Sequence, residues 1–411
     1  MPHPGKLSIS DYTYDLPEER IALHPLAERD SSKLLVYKNQ TIQETVFREL
    51  SIHLPEKAML VFNESKVIRA RILFQKSSGS FIELFCLEPG GSFSDFAIAL
   101  NEKGSCVWYC MVGGLSKWKD PELVRAIHIG DRTIQLTAVI EQRLSDCHLI
   151  RFTWDAPDIC MGEILEWAGN MPLPPYIKRS TAVSDTDRYQ TIYAKNEGSV
   201  AAPTAGLHFT DRVFEALAEK NIQQSAVVLH VGAGTFRPVK SKTMQDHAMH
   251  AEWIDVSINT IRQWKSHGSQ MVATGTTSMR TMETIYWLGV RCAVQSDTKD
   301  FTIHQWDVYE APLVESNLSR REALEALEKR MIALKMDRIF TQTSLLIMPG
   351  YRFRMTDILI TNFHQPQSTL LLLVAAAIGE HWRTVYEYAL KHDFRFLSYG
   401  DASLLYIQDV I

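Results

Sequence analysis

Four segments of this 411-residue sequence combine small residues with hydroxyl, amide or imidazole side chains at spacings that suit a ligand site. The first runs Gly198-Ser199-Val200-Ala201-Ala202-Pro203-Thr204-Ala205-Gly206-Leu207-His208-Phe209-Thr210. Its small residues let the backbone approach a ligand closely, and His208 adds a group able to move a proton near neutral pH. A tight loop packed on its neighbour is the plainer alternative. The second, His230-Val231-Gly232-Ala233-Gly234-Thr235-Phe236-Arg237-Pro238, puts Gly-x-Gly after an apolar run. That spacing can cradle an anion or a ribose, although the full Gly-x-Gly-x-x-Gly fingerprint is absent. The third, Gly275-Thr276-Thr277-Ser278-Met279-Arg280, sets hydroxyls and a guanidinium at a helix start, which is anion-binding chemistry. An N-cap by Thr277 or Ser278 explains the hydroxyls equally well. The fourth, Asp357 to His364, places Asn362 and His364 just past an apolar strand. A lone His after a strand is more often structural than catalytic. The turn Ser398-Tyr399-Gly400-Asp401-Ala402 either brings Asp401 to a site or simply ends the fold.

Other chemistries fare worse. His247, His250 and Glu252 lack the His-Glu-x-x-His arrangement of a zinc helix, so no metal site is expected. The six cysteines, at 86, 106, 110, 147, 160 and 292, form no Cys-x-x-Cys pair. Buried thiols in a reduced, cytoplasmic protein are the expectation. Lys and Arg total 43 against 48 Asp and Glu, a formal charge of −5, which excludes a uniformly basic coat but not a basic patch. Tyr176-Ile177-Lys178-Arg179 and Tyr351-Arg352-Phe353-Arg354 interleave aromatic rings with cations, as a groove that stacks bases and holds phosphates would. The longest apolar run, Leu370 to Ile378, is nine residues, too short for a membrane span of ~20. No apolar signal segment follows Met1-Pro2-His3-Pro4-Gly5-Lys6.

The elements that must position these groups fall into two styles. From about Arg69 to Trp154 the pattern is short strands broken by Gly and polar residues, with Gly130-Asp131 as a hairpin turn. A small all-β module is expected there. From Leu165 onward strands alternate with helices. Thr210 to Glu219, Ser257 to His267, Ser278 to Leu288, Ser368 to Ile378 and Trp382 to Leu390 read as helices; Ala226 to Val231, Gln270 to Thr274, Ser344 to Met348 and Asp357 to Thr361 read as strands. Alternation predicts a parallel α/β sheet, open or closed into a barrel, with its site at the carboxyl ends of the strands. The expected organisation is an α/β main domain, residues 1–65 and 156–411, interrupted by the small all-β module over 66–155.

Gly198 to Thr210 also resembles, without a gap, the most characteristic motif of the S-adenosylmethionine:tRNA ribosyltransferase-isomerases, the queuosine-biosynthesis enzymes. Further motifs resemble the same family in the same order. They include Tyr12 to Pro17, His24 to Asp30, Pro172 to Ile177, Arg188 to Ala194, Gly232 to Pro238 and Gly275 to Ser278. Pro349 to Phe353, Thr361 to His364 and Tyr399 to Ala402 complete the series. Asn63-Glu64-Ser65-Lys66 stands where the family usually has Asn-Asp-Thr-Arg, and residues ~290 to 340 match poorly.

The resemblance implies the same two-domain plan, with a barrel-like α/β main domain and a small β-barrel domain inserted in it. It also implies that S-adenosylmethionine serves as a ribosyl donor, a co-substrate and not a methyl donor, with no separate cofactor. The acceptor would be the aminomethyl group of 7-aminomethyl-7-deazaguanine (preQ1) at the wobble position of tRNA, and the products epoxyqueuosine, adenine and methionine. Such chemistry needs a positioned base for the protons beside the sulfonium, a hydrogen bond to departing adenine, and an uncharged attacking amine. On that reading His208 is the first candidate for proton transfer, with His230, His364 and Asp401 further candidates. Ser199, Pro203, Thr204 and Gly206 would hold substrate, with Thr276, Thr277, Ser278 and Arg280 on the methionine carboxylate or a phosphate. Tyr189, Gln190, Gly234, Thr235, Arg237, Tyr351, Asn362 and Phe363 join the substrate set; Tyr176, Lys178, Arg179 and Arg352 would touch tRNA. A monomer is expected. The rivals are a non-catalytic tRNA-binding homologue, which a turnover assay separates, and a metal-dependent hydrolase using His247 and His250, which metal analysis separates. A methyltransferase would release S-adenosylhomocysteine instead of adenine, and its glycine-rich fingerprint is absent.

Overall fold

The computed structural model describes residues 4–91, 95–232, 239, 241 and 243–408. Strands β1 (Lys33–Lys38), β2 (Thr41–Val46), β3 (Met59–Asn63) and β4 (Ser65–Val67) come first. A β-rich stretch follows: β5 (Arg71–Gln75), β6 (Phe81–Pro89), helix α1 (Phe96–Asn101), β7 (Ser105–Gly113), β8 (Leu123–Ile129), β9 (Arg132–Arg143) and β10 (His148–Trp154). Helix α2 (Met161–Ala168), β11 (Gly169–Asn170), α3 (Asp185–Arg188), β12 (Asn196–Ser199) and α4 (Asp211–Glu219) lead back. Then come β13 (Gln223–His230), β14 (Glu252–Ser257), α5 (Ile258–Ser266), β15 (Met271–Thr274) and α6 (Gly275–Val294). The remainder is α7 (Arg320–Ala333), β16 (Arg338–Thr343), β17 (Ile358–Asn362), α8 (Thr369–Ile378), α9 (His381–Lys391) and β18 (Ala402–Tyr406).

Nine strands form one sheet in the order β16-β14-β13-β3-β15-β17-β18-β1-β2. Its centre, β13-β3-β15-β17, is parallel, and the residues of β3, β15 and β17 are buried throughout, as strands covered on both faces must be. The sheet as a whole is mixed, because β14, β16, β2 and the β17–β18 pair run antiparallel. This corrects the expectation of a purely parallel sheet. The terminal strands β16 and β2 are joined by no ladder among the described residues, so the α/β part is a curved open sheet and not a closed barrel. Residues 344–348, expected as a strand, are buried coil after β16, since their apolar side chains pack into the main core without a ladder.

The second sheet, β11-β5-β6-β7-β10-β9-β8, is antiparallel, with the expected hairpin at Gly130-Asp131. Its inward side chains, among them Ile72, Trp108, Leu136 and Phe152, make a separate core. Met161, Ile164, Leu165 and Ala168 of α2 belong to that core, and β11 pairs with β5 at residues 169–170. Helix α4 starts where expected, but Thr210 does not cap it through its side chain. The Thr210 hydroxyl donates to Asp30 instead, at 2.6 Å, which ties the His24 to Asp30 segment to α4.

Candidate active-site cleft

Three central strands, β13, β15 and β17, end at one cleft. Its floor is Ala201 to Ala205 from the small-residue segment. Gly275, Thr276 and Thr277 enter after β15, and Thr361 to Gln365 after β17. Helix α6 begins at this edge, so its first amides point to where a ligand would sit. The Thr277 hydroxyl is buried there without a hydrogen-bond partner among the described residues. A buried unsatisfied hydroxyl costs about 1–3 kcal/mol, which a ligand acceptor would recover.

Asn362 links the cleft to His208. Thr204 Oγ1 donates to Asn362 Oδ1 at 2.8 Å, which leaves the amide Nδ2 facing His208 Nε2 at 3.3 Å. His208 Nε2 therefore accepts, and its proton sits on Nδ1, 2.8 Å from Ser32 Oγ. Burial, with the Arg395 charge adding to it, lowers the His208 pKa to about 4, so the ring is neutral at pH 7. His208 is 5% exposed and does not line the cleft; it stands one side chain behind it.

His364 does line the cleft. Its Nε2 meets Thr361 Oγ1 at 2.9 Å, its backbone N–H donates to the Tyr386 hydroxyl at 3.0 Å, and its carbonyl accepts from the Tyr14 hydroxyl. Burial pushes its pKa down to about 3. Pro203, Thr204, Thr276, Thr277, Asn362, Phe363 and Tyr176 also border the cleft. The Phe363 ring itself packs among Tyr386, Phe394 and Phe396. Gly206 sits just behind the floor, where an added Cβ would fall 2.0 Å from the Tyr193 hydroxyl, so only glycine fits.

Other expected residues have different work. Arg280 is spent on a buried ion pair with Glu252, so its guanidinium is not free for a carboxylate or phosphate. Ser278 donates to the Thr274 carbonyl of its own helix turn. The Asp401 carboxylate accepts from the backbone N–H groups of Lys33 and Arg395, clamping β1 to the final turn. Ser199 Oγ bridges Ala201 O and Val231 N–H. Tyr189 is fully buried against Tyr399, and the Gln190 amide pairs with both backbone groups of Val67. The Tyr351 hydroxyl donates to Glu283, which also accepts from the backbone of residues 354–356, so this loop is anchored and not part of the cleft. His230 stacks on Phe96, with ring centroids 4.8 Å apart, and faces a groove between the two sheets instead of the cleft. Arg179 forks onto Asp185 and Lys178 pairs with Glu18, while Arg352 is exposed. Gly234, Thr235 and Arg237 lie outside the described residues. Among those described, no group of three His, Cys, Asp or Glu side chains is placed to hold a metal ion, and no helix is long and apolar enough to cross a membrane.

Sequence reasoning missed Ser32, Ser398 and Gln365. Ser32 meets His208 across 176 positions, and no local pattern signals such a contact. Ser398 and Gln365 stood inside or beside quoted segments, but single polar residues in turns carry no distinguishing periodicity.

Fold and cleft together define an α/β protein with a candidate ligand site at the carboxyl edge of parallel strands. Within that class the chain belongs to the queuosine biosynthesis protein family, whose model matches residues 9–405. It is similar to the S-adenosylmethionine:tRNA ribosyltransferase-isomerase of Magnetococcus marinus, at 35% identity over 97% of this chain and 94% of the relative. The protein of the same description from Legionella pneumophila strain Philadelphia 1 is 37% identical over 96% of this chain and 98% of its own. A solved structure, the S-adenosylmethionine tRNA ribosyltransferase of Thermotoga maritima, is 29% identical, covers 96% of this chain and 99% of its own, and aligns with a TM-score of 0.45.

Proposed function

We propose that the chain transfers the ribosyl group of S-adenosylmethionine to the aminomethyl group of preQ1 at the tRNA wobble position. The sugar is isomerised to an epoxycyclopentanediol, giving epoxyqueuosine, and adenine and methionine leave. The observation that carries this reading is the likeness, over nearly the whole chain, to relatives described as S-adenosylmethionine:tRNA ribosyltransferase-isomerases. The cleft agrees with it in its hydroxyl, amide and imidazole groups and in its place on the sheet.

The roles follow from position. The backbone of Ala201 to Ala205 forms the surface on which S-adenosylmethionine or the deazaguanine lies. The Thr277 hydroxyl and the first amides of α6 meet an electron-rich group. His364, neutral and at the cleft wall, contacts ligand directly. His208 orients the Asn362 amide instead of reaching the substrate, which moves proton transfer away from our first candidate. Lys178 and Arg352, both exposed, are assigned to the tRNA backbone. The seven-stranded unit is read as the inserted β-barrel domain, because Arg125 from one end of that sheet donates to Leu73 O, at 3.0 Å, and Ala168 O, at 2.8 Å, near its other end. The chain is taken to act as a cytoplasmic monomer without a further cofactor.

The test is incubation with S-adenosylmethionine and preQ1-bearing tRNA, following adenine and methionine by chromatography and the digested nucleosides by mass. Adenine released in step with a nucleoside of the added mass is expected. Binding of tRNA without adenine release would favour a non-catalytic homologue, and S-adenosylhomocysteine would mean methyl transfer.

A further inference from the structure

Beside the cleft lies a smaller cavity, bordered by Arg29, Ser32, Arg188, His208, Arg395 and Ser398. Ser398 lines both spaces, so they adjoin. The charges around the smaller one do not balance. Arg395 is paired with Asp401 at 3.4 Å. Arg29 and Arg188 make no ion pair among the described residues and donate only to backbone carbonyls. Arg29 reaches Gln190 O at 2.6 Å, Asp187 O at 2.7 Å and Leu207 O at 3.3 Å. Arg188 reaches Ala27 O at 3.0 Å and Leu26 O, and its buried Nε has no acceptor.

The nearby acids are engaged or turned to solvent. Asp185 holds Arg179 and accepts from the Tyr399 hydroxyl at 2.9 Å, and Asp187 is exposed. Burial and the neighbouring Arg188 push the Arg29 pKa down, which marks two cations held close together. Three guanidiniums thus border the cavity, and only that of Arg395 is paired with a carboxylate among the described residues. A part-buried cation without a counter-charge is costly, and an arginine fork matches the oxygens of a carboxylate or phosphate. The Ser32 hydroxyl, which accepts from His208 Nδ1, keeps its own proton to donate.

We propose that this cavity binds one oxyanion, a carboxylate or phosphate group, of the ligand that fills the adjoining cleft. It supplies the guanidiniums that Arg280, spent on Glu252, does not. Only the ligand's identity rests on the proposed transferase reading: the group is then the carboxylate of S-adenosylmethionine or a phosphodiester of the tRNA.

The test begins with inorganic phosphate and acetate on the full chain, read by thermal unfolding at constant ionic strength against chloride. A rise in Tm beyond that in chloride, turning logarithmic in anion concentration, is expected for at least one of them, since a site occupied only in the folded state stabilises by RT ln(1 + [L]/Kd) whereas general salt stabilisation grows steadily. Arg188→Gln should weaken the apparent affinity about tenfold, and Arg188→Lys should weaken it less. No such rise in the wild-type chain overturns the proposal, whether or not the variants fold. So does an undiminished rise in a folded Arg188→Gln. The source is then assigned with natural ligands. A carboxylate source predicts that Arg188→Gln raises the KM for S-adenosylmethionine and leaves tRNA affinity alone. A phosphodiester source predicts weaker tRNA binding, with the salt slope reduced by about one. The anion titrations need no turnover, so failure of the transferase reading would leave them standing.

Discussion

His208 carries its proton in the unfolded chain at a pH where the folded chain refuses it. An unperturbed imidazole titrates near about 6.5. In the fold His208 protonates only near about 4, because burial and the Arg395 charge oppose a second positive charge. Between those values the unfolded state binds the extra proton, so stability is complete above about pH 6.5 and falls as the pH drops toward 4. His230, also near about 4, and His364, near about 3, act in the same direction. The urea midpoint should therefore be lower at about pH 5 than at about pH 7.5, and His208→Gln should shrink the difference. Identical pH slopes for wild type and variant would refute the assignment. At this scale the sequence was legible where a residue's chemistry was local. Asn362 and His364 follow an apolar strand, and both reach the cleft. It was illegible where the partner was remote: nothing near Arg280 announces Glu252, which arrives on a different strand and neutralises it.

The short helical turn Thr204–His208 depends on a glycine with no room behind it. An alanine at 206 would set its methyl group 2.0 Å from the Tyr193 hydroxyl and 2.8 Å from Thr191 Cγ2. Gly206→Ala should cost about 1–3 kcal/mol by overpacking. Tyr193→Phe deletes an oxygen that has no hydrogen-bond partner, so it should be well tolerated. The double variant should recover part of the loss, because the methyl group would still crowd Thr191. Denaturant midpoints of all four proteins give the coupling directly, and strict additivity would contradict the contact. Periodicity read the helices well, since α4, α5, α8 and α9 each start and stop within a few residues of expectation. It misread Ser344 to Met348, because burial without pairing leaves the same apolar pattern as a central strand. Strand direction was also out of reach, as composition does not distinguish the antiparallel edges from the parallel centre.

Across the whole molecule, the segment that leads from β4 into the seven-stranded sheet, which has a core of its own, is the joint. The Gln190 side chain imitates a strand there, accepting from Val67 N–H at 3.0 Å and donating to Val67 O at 2.7 Å just before the chain enters the seven-stranded sheet. Gln190→Ala should speed hydrogen exchange at the Val67 amide while leaving amides in the centre of β3 and β15 protected. Unchanged exchange at Val67 would show that the joint does not need this amide. The β-rich stretch itself was visible in the sequence because its alternation is dense. Helix α2, which the sequence reading does not name, joins that core by its packing.

The order of the nine-stranded sheet also has a consequence for biosynthesis. Strand β18, residues 402–406, lies between β17 and β1, so it alone connects the early β1–β2 hairpin to the rest of that sheet. On the ribosome the hairpin must wait, unpaired at one edge, until more than 350 further residues have been translated. The seven-stranded unit has all its pairings by Asn170 and is free to fold during that wait. A nascent chain halted between Asn170 and Ala402 would thus carry a finished β-rich unit beside an unfinished nine-stranded sheet.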